Sequence, residues 1–230
     1  MNIITLASRK GGAGKSTIAA HLAALCHQGG FRTLVIDADP QGSLTLWHSL
    51  RADRQPDLRS GARGIERALA MAVVDGYQWV FIDTAASMWV VAQEAIRAAT
   101  MVLIPARPGF LDLAAVRETV KCARERDKPY AVVLNACPVK RGQKEAPAVA
   151  QSRAYLQNEG VPVFAGQISH RASFSSTLAD GASAGEAEPA SLAAAEIEKL
   201  WIAVEKSVAA VNQHYAAAAA TASLTQGQAA

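Results

Sequence analysis

Short apolar runs alternate along the chain with longer segments in which apolar residues recur every three or four positions. The runs are rich in valine and isoleucine and show little polar alternation, which is typical of strands buried on both faces. They cover residues 3–7, 33–36, 79–82, 101–105, 131–134 and 161–164. The helical segments include residues 15–28, 87–99, 111–126 and 146–158. This alternation predicts an α/β fold, in which a mostly parallel, twisted sheet carries helices on both faces.

Two segments interrupt the alternation. Residues 51–67 are charged and contain Pro56, so we expect a surface connection that leads into a helix. Residues 180–189 contain two glycines and a proline and predict a loop. A last helix is predicted from Ser191, with one apolar face docked on the sheet. That face is formed by Ile197, Leu200, Trp201, Val204, Val208 and Val211.

No internal repeat or linker divides the 230 residues. This length suits one domain, or two at most. We predict a single domain over residues 1–212 and an alanine-rich, disordered tail over residues 213–230, because the end of the chain carries no charged side chain after His214.

Composition excludes several classes of protein. A chain that is 50% hydrophobic and 19% charged is not disordered throughout, and a net charge of +3 permits nucleic-acid binding without requiring it. Three widely spaced cysteines argue against a disulfide framework, a structural zinc site or an iron–sulfur cluster, and fit a reducing cytoplasm. No apolar run reaches the roughly 18 residues that span a bilayer. The first apolar run also precedes Arg9 and Lys10, whereas a signal peptide has its basic residues first.

The strongest chemical signal is the segment RKGGAGKST at residues 9–17. It follows a predicted strand and precedes a predicted helix, which is the context of a phosphate-binding loop. Small glycines let backbone N–H groups close around phosphate oxygens, and the helix N-terminus adds the positive end of its dipole. Lys15 is placed to reach the β- and γ-phosphates of a nucleotide, and Ser16 is placed to bind Mg²⁺.

Two further predicted strands end in aspartates. Asp37 and Asp39 flank one alanine, so they point the same way in an extended chain. Asp83 ends an apolar strand in the manner of a Walker B motif, which holds Mg²⁺ through water. Because ligands of open α/β sheets bind at the carboxyl ends of the strands, these aspartates are expected beside the phosphate loop.

The phosphate loop departs from the general motif, because Arg9 stands where a glycine is usual and Lys10 precedes a glycine pair. In this it resembles the deviant-Walker ATPases of the ParA/MinD family, with the pattern Lys-Gly-Gly-x-Gly-Lys-[Ser/Thr]-[Ser/Thr]. The resemblance extends to about Val211 and is greatest to the small ParA partition ATPases without an N-terminal helix-turn-helix domain. It implies a P-loop NTPase three-layer sandwich that binds ATP and Mg²⁺. It also implies an ATP-bound homodimer, in which Lys10 touches the partner subunit's nucleotide.

The resemblance assigns roles to individual residues. Asp39 would position the attacking water, with Lys10 and Lys15 completing the catalytic set. Ser16, Asp37 and Asp83 would serve the metal. The nucleotide-binding residues would be Lys10, Gly11, Gly12, Ala13, Gly14, Lys15, Ser16, Thr17 and Asn135, the last of these at the adenine edge.

The resemblance also implies a cycle of DNA binding. A ParA-type dimer binds DNA without sequence preference and releases it when a ParB-like partner stimulates slow hydrolysis, so that plasmid or chromosomal DNA is segregated or a cargo is spaced. Arg171 matches a family arginine that contacts DNA phosphates, and Lys140, Arg141 and Lys144 form a basic cluster on a predicted exposed loop. We therefore expect a cytoplasmic, nucleoid-associated protein.

Two other functions stay open at this point. A MinD-like, membrane-associated positioning ATPase would use an amphipathic C-terminal helix with basic residues, whereas no lysine or arginine follows Lys206, so no membrane partner is expected. A metabolic P-loop enzyme would not require Lys10, and would turn over ATP rapidly with a small acceptor.

Overall fold

A parallel sheet forms the centre of the protein. The computed structural model describes residues 1–142 and 144–227, with side chains described up to residue 219. Within this part, six strands pair in the order β3-β2-β4-β1-β5-β6, and every neighbouring pair is parallel. The strands are β1 Asn2–Leu6, β2 Thr33–Ala38, β3 Asp57–Ser60, β4 Trp79–Thr84, β5 Met101–Ala106 and β6 Tyr130–Leu134.

Helices cover both faces of this sheet. They are α1 Lys15–Gln28, α2 Ser43–Leu50, α3 Ile65–Val74, α4 Trp89–Ala98, α5 Phe110–Arg124, α6 Pro147–Asn158, α7 Ala172–Ala179, α8 Ala184–Ala187 and α9 Leu192–Gly227. One apolar core joins α1, α2, α7, α8 and α9 to the first face, and two smaller cores join α3 to α6 to the second face. The predicted three-layer α/β sandwich is confirmed.

Strand β4 shows why both faces need a helical layer. Trp79 and Phe81 lie in the core of the first face, whereas Val80 and Ile82 lie in a core of the second. All four side chains are buried. Burial of each such side chain is worth roughly 1.5–3 kcal/mol, so an uncovered face would forfeit much of the stability of the sheet.

The edges of the sheet differ from the predictions. The segment predicted as a surface connection contains strand β3, which pairs with β2. The strand predicted at residues 161–164 is reduced to one bridge between Val163 and Val132. Pro162 contributes only its carbonyl oxygen there, accepting from the Val132 N–H at 2.8 Å, because proline has no N–H for a ladder.

The segment predicted as a loop at residues 180–189 contains the short helix α8. Its start is a capping box, in which the Ser183 hydroxyl accepts from the Glu186 N–H while the Glu186 carboxylate accepts from the Ser183 N–H. These two bonds satisfy backbone donors that a helix start leaves unpaired, and they stabilise a single helical turn.

The last helix packs as predicted and then continues further than predicted. Its apolar face is buried as far as Val208, while Val211 is half-buried. The helix runs on to Gly227, so residues 213–227 are helical where the sequence predicted disorder. Alanine has the strongest helix propensity, and no proline interrupts this stretch. Residues 228–230 of the predicted tail lie outside the described residues, and the boundary of the domain stays a prediction.

Among the described residues, none of the helices combines the length and the apolar character that a membrane crossing requires.

The three cysteines are free thiols inside the protein. Cys26, Cys122 and Cys137 are all buried, with at most 3% of each exposed. Burial raises the pKa of the Cys26 and Cys137 thiols to about 12. In the described part of the chain, no three or more His, Cys, Asp or Glu side chains are grouped so that they could hold a metal ion by themselves.

Candidate nucleotide site

The phosphate loop joins β1 to α1 through left-handed glycines. Gly12 has φ +70° and Gly14 has φ +99°. A Cβ atom at Gly14 would lie 2.0 Å from Nδ2 of Asn135, so this position admits glycine alone. Helix α1 then begins at Lys15 with no side-chain cap and no acidic residue in its first turn, which leaves its backbone N–H groups available to an anion.

A cleft of about 780 Å³ opens beside this loop. Its walls are the phosphate loop, residues 39–41 after β2, Ser87 after β4, and side chains of α2 and α7. This volume lies within the range of roughly 300–1,000 Å³ that small-molecule sites occupy. Among the residues that line it are Gly11, Gly12, Gly14, Lys15, Ser16, Thr17 and Asp39, whose roles toward a nucleotide stay predictions.

Lys15 is a buried cation between carboxylates. Only 7% of the residue is exposed. Burial lowers the pKa of its ammonium group, and the nearby Asp83 and Asp39 carboxylates partly offset that effect. Because the effective dielectric constant is low around a buried charge, this ammonium group would interact strongly with phosphate oxygens in the same cleft.

Asp83 is a buried carboxylate without a hydrogen bond of ordinary geometry to the described residues. It is 0% exposed, and neither of its oxygens has a partner. Burial raises the pKa of Asp83 to about 7; the adjacent Ser16 hydroxyl lowers it, and the Asp37 carboxylate raises it further. A buried carboxylate without partners is costly. Mg²⁺ bound beside Ser16 would supply the missing partner, so the residues present fit this metal.

Asp37 lies next to Asp83, with which it is in register across β2 and β4. Its Oδ2 atom accepts hydrogen bonds from the N–H and the hydroxyl of Thr45, both at 2.8 Å, and Oδ1 accepts from the Asp39 N–H at 3.2 Å. Asp37 therefore anchors the start of α2. Its predicted place in the metal shell stays a prediction.

Asp39 stands at the mouth of the cleft, where it is half-exposed. Its Oδ1 atom accepts from the Gln41 N–H at 3.0 Å, which shapes the turn before α2. The carboxylate is thus close to Lys15 and still open to water, as a group that positions an attacking water must be.

Asn135 directly follows β6 and is buried. Its Nδ2 atom donates to the Ala13 carbonyl oxygen at 2.7 Å. This bond fixes the phosphate loop against the end of β6. The predicted contact with the adenine edge is a separate role and stays a prediction.

Lys10 is half-buried at the outer side of the loop. Its N–H donates to the Ser8 hydroxyl at 3.3 Å, and its ammonium group forms no ion pair with the residues described. The predicted reach into a second subunit is not tested in a single chain.

The predicted DNA-contacting arginine is engaged within the protein. Arg171 precedes α7 and donates to the Glu196 carboxylate at 3.0 Å, with 20% and 17% of the two side chains exposed. Glu196 also accepts from the N–H and the hydroxyl of Ser169, both at 2.7 Å. In this conformation the guanidinium faces α9, so a phosphate would have to compete with Glu196.

The predicted basic cluster lies on the surface, as expected. Arg141 and Lys144 are exposed and joined by a backbone bridge, with N···O distances of 3.2 Å in both directions. Lys140 is 3.8 Å from the Glu145 carboxylate. Glu145 is held by Arg153 as well, whose hydrogen bond lowers the pKa of that carboxyl group.

Two buried contacts that the sequence did not predict tie the elements around the cleft together. Arg51, at the end of α2, meets the Glu186 carboxylate with two hydrogen bonds of 2.6 and 3.0 Å. His21 of α1 accepts from the Ala184 N–H through Nδ1 at 3.1 Å, so Nε2 carries the proton and faces the Phe174 carbonyl oxygen at 3.3 Å. Both contacts lead to the α7–α8 segment, and no local sequence pattern marks such long-range pairs.

Comparison with known proteins assigns the family. The profile of the CobQ/CobB/MinD/ParA nucleotide-binding domain (CbiA) matches residues 4–184. This chain belongs to that family. The match includes the phosphate loop, the strands that carry Asp37 and Asp83, and Asp39 directly after β2.

Two curated relatives show how far the sequence similarity extends. Maintenance of carboxysome distribution protein A from Halothiobacillus neapolitanus is 28% identical over 185 residues, which cover 78% of this chain and 85% of that protein. The chromosome-partitioning ATPase Soj from Thermus thermophilus is 32% identical over 143 residues, which cover 49% of this chain and 57% of Soj.

Solved structures share the fold. Apo McdA from Cyanothece has a TM-score of 0.72 at 18% identity, with 90% of this chain and 98% of that chain covered. The septum site-determining protein MinD from Pyrococcus horikoshii, solved with Mg-ADP, has a TM-score of 0.68 at 19% identity, with 91% and 98% covered. At these identities the likeness establishes the three-layer fold.

Proposed function

We propose that this protein is a ParA-type positioning ATPase. It binds ATP with Mg²⁺, forms a homodimer in that state, binds DNA without sequence preference, and releases it after hydrolysis stimulated by a ParB-like partner. The observation that carries this proposal is that Lys15 and Asp39 line one cleft while the buried Asp83 carboxylate lies near Lys15, beside a phosphate loop that contains Lys10. Membership of the CobQ/CobB/MinD/ParA family supports it.

The proposed roles follow from the positions of the side chains. The backbone N–H groups of the loop and the Lys15 ammonium group bind phosphate oxygens, and Ser16 and Asp83 hold the metal. Bound Mg²⁺ supplies positive charge that neutralises the phosphate oxygens during transfer. Asp39 orients the attacking water, because its carboxylate is both near Lys15 and open to solvent.

A nucleotide switch needs an element whose position depends on the γ-phosphate. Residues 39–42 lie at the cleft and lead directly into α2. The other end of α2 is bound to α8 through Arg51 and Glu186. A movement of the turn after Asp39 is therefore passed to the α7–α8 segment, next to Arg171.

DNA binding in this proposal rests on phosphate contacts. Arg171 and the cluster of Lys140, Arg141 and Lys144 are the proposed contacts, and a dimer presents each of them twice, which raises the affinity without new types of contact. Arg171 must leave the Glu196 carboxylate before it can bind a DNA phosphate. Because the ATP-bound dimer is the proposed DNA-binding state, we place this change of partner in that state.

The cargo follows from the relatives only as a class. The relatives include proteins named for carboxysome distribution and for chromosome partitioning. We propose that this protein likewise positions a large cargo, a DNA molecule or a protein assembly, over the nucleoid in the cytoplasm.

The test uses the Asp39→Ala variant, which is expected to bind ATP without hydrolysing it. Light scattering should find a dimer with Mg²⁺–ATP and a monomer with ADP, and the dimer should retain double-stranded DNA of arbitrary sequence. Lys15→Ala is the control, which should neither form a dimer with Mg²⁺–ATP nor retain DNA.

A protein that stays monomeric in the presence of ATP would contradict the proposed switch. ATP-dependent sedimentation with anionic liposomes instead of DNA would indicate a MinD-like membrane function. Rapid wild-type turnover that depends on a small acceptor would indicate a metabolic enzyme.

A further inference from the structure

Arg107 lies against the phosphate loop, although it is far from that loop in the sequence. It directly follows β5, which pairs with β1, the strand that leads into the loop. Its Nη2 atom is 3.2 Å from the position of a Cβ atom at Gly12, and its Cζ atom is 3.9 Å from that position. The guanidinium therefore packs against the left-handed Gly12.

The charge of this guanidinium has no carboxylate partner in the described part of the chain. The polar contact of Arg107 is made by its backbone N–H, which donates to Oδ1 of Asp112 at 3.4 Å. Arg9, at the start of the same loop, contrasts with it, because Arg9 pairs with Glu118 at 3.3 Å and lies over the Trp89 ring. Arg107 is exposed and so remains available to a ligand.

A guanidinium in this place suits phosphate. Its planar fork of N–H groups matches two phosphate oxygens at once, and it keeps its charge at any physiological pH. Two more cations, Lys10 and Lys15, belong to the same loop, so the positive potential is concentrated where backbone N–H groups already converge.

We infer that Arg107 contacts the phosphate groups of the bound nucleoside triphosphate, in addition to Lys10 and Lys15. The nucleotide is the one held by the same subunit or the one held by a second copy facing it. This inference rests on the proposed binding of ATP, and it adds a phosphate contact from the end of β5 that the loop motif does not contain.

The experiment compares Arg107→Gln, Arg107→Lys and Arg63→Gln. Arg63 is a matched control, because it too is exposed, lies at the carboxyl edge of the sheet and forms no ion pair among the described residues, but it follows β3 at the far end of the sheet. Calorimetry measures the dissociation constants of AMP, ADP and a non-hydrolysable ATP analogue, with Mg²⁺. Light scattering measures dimer formation in the presence of Mg²⁺ and the ATP analogue.

A contact within the subunit predicts that Arg107→Gln weakens ADP and analogue binding by about tenfold or more and leaves AMP unchanged. A contact with the second copy predicts unchanged ADP binding and a similar loss in dimer formation. In both cases Arg107→Lys should recover part of the loss, and Arg63→Gln should behave as wild type. Equal nucleotide affinities and dimer formation for Arg107→Gln and Arg63→Gln would overturn the inference, whereas a wild type that binds no ATP would instead remove the proposed function.

Discussion

At the scale of single residues, the nucleotide site is built from polar side chains that the surrounding protein leaves incompletely paired. Asp83 has no hydrogen-bond partner in the described structure, and Lys15 is buried near two carboxylates. Such groups lower the free energy of unfolding of the ligand-free protein, because the cost of desolvating a charge is not offset by hydrogen bonds or ion pairs. Bound Mg²⁺ and phosphate would supply the missing partners, so these groups indicate where the ligand binds.

Asp83→Asn should therefore separate stability from binding. Removal of a buried charge without partners is expected to raise the free energy of unfolding of the metal-free protein by roughly 1–3 kcal/mol at pH 8. The same change should abolish the effect of Mg²⁺ on nucleotide affinity. Urea unfolding and nucleotide titrations with and without Mg²⁺ measure the two effects. A destabilised variant that keeps its Mg²⁺ dependence would contradict both assignments.

Glu196→Gln should strengthen DNA binding of the ATP dimer. The substitution removes the charge that holds Arg171, keeps an oxygen for the Ser169 N–H, and places an amide that can donate to the Ser169 hydroxyl in place of the oxygen that Arg171 binds. A partly exposed ion pair is worth up to about 1 kcal/mol, so the affinity should rise by roughly fivefold.

Two control variants accompany this measurement. Glu198→Gln removes an exposed charge from the same helix and should change little in fluorescence anisotropy with labelled DNA. Arg171→Gln added to Glu196→Gln should cancel the gain. An equal gain from both glutamate variants would show an effect of net charge alone.

The sequence identified the residues of the phosphate loop and the strand-end aspartates, because the chemistry of phosphate binding dictates their spacing. It could not predict that Asp37 caps the start of α2 through Thr45, since that contact depends on how α2 packs. It assigned no individual role to Arg107 for a related reason: the pairing of β5 with β1 brings this residue to a loop nearly a hundred positions earlier in the chain.

At the scale of elements, α1 and α2 both rest on the α7–α8 segment through buried polar contacts. Arg51 joins α2 to Glu186, and the same guanidinium lies 4.7 Å from the centre of the Trp47 ring. His21 joins α1 to both α7 and α8. Helix α1, which follows the phosphate loop, and helix α2, which follows Asp39, are thus both fixed to the same α7–α8 segment.

His21 should make stability depend on pH. Burial lowers the pKa of its imidazole to about 4, and the Glu186 carboxylate opposes that effect only in part. The folded protein therefore keeps His21 neutral while the unfolded chain takes up a proton below about pH 6.5, so stability is lost as the pH falls from 6.5 towards 4.

The loss from this one group should be about 1.6 kcal/mol between pH 6.5 and pH 5, because the limiting slope of about 1.4 kcal/mol per pH unit is reached only below the pKa of the unfolded chain. Urea unfolding at both pH values measures it for wild type, His21→Asn and His214→Gln. His21→Asn should show a smaller pH dependence, and the exposed His214 should not affect it. Identical slopes in all three proteins would contradict a buried neutral histidine.

Elements with strong periodicity were predicted well, whereas short ones were not. Helix α1 matches its predicted bounds, and five of the six strands predicted from apolar runs are present, the run at residues 161–164 being the exception. Strand β3 and helices α2, α7 and α8 are no longer than eight residues, so tertiary contacts decide them. The helical continuation beyond residue 212 was missed because absence of charge was interpreted as disorder, while the helix propensity of alanine was neglected.

At the scale of the whole molecule, the three layers place the cleft, Arg107 and the phosphate loop along the carboxyl edge of one sheet. A second copy facing that edge would close the cleft from outside and present its basic residues on a doubled surface. Whole-molecule binding to DNA should then respond to salt in proportion to the number of phosphates contacted.

The logarithm of the association constant of the ATP dimer for DNA should fall linearly with the logarithm of the salt concentration, with a slope of about −0.9 per phosphate contact. Arg171→Gln should reduce the steepness by about 0.9 for each protomer that contributes a contact. Anisotropy titrations across a series of salt concentrations measure the slope. A slope near zero would exclude phosphate contacts, and an unchanged slope in the variant would remove Arg171 from them.

The burial of the native thiols has a practical consequence. Maleimide dyes react with thiolates, and Cys26 and Cys137 hold their protons well above neutral pH inside the protein. A cysteine introduced at a chosen surface position would thus be labelled selectively without replacing the native ones. Donor and acceptor dyes attached in this way to separate batches of protein would report, by energy transfer, when two copies approach each other and when they part.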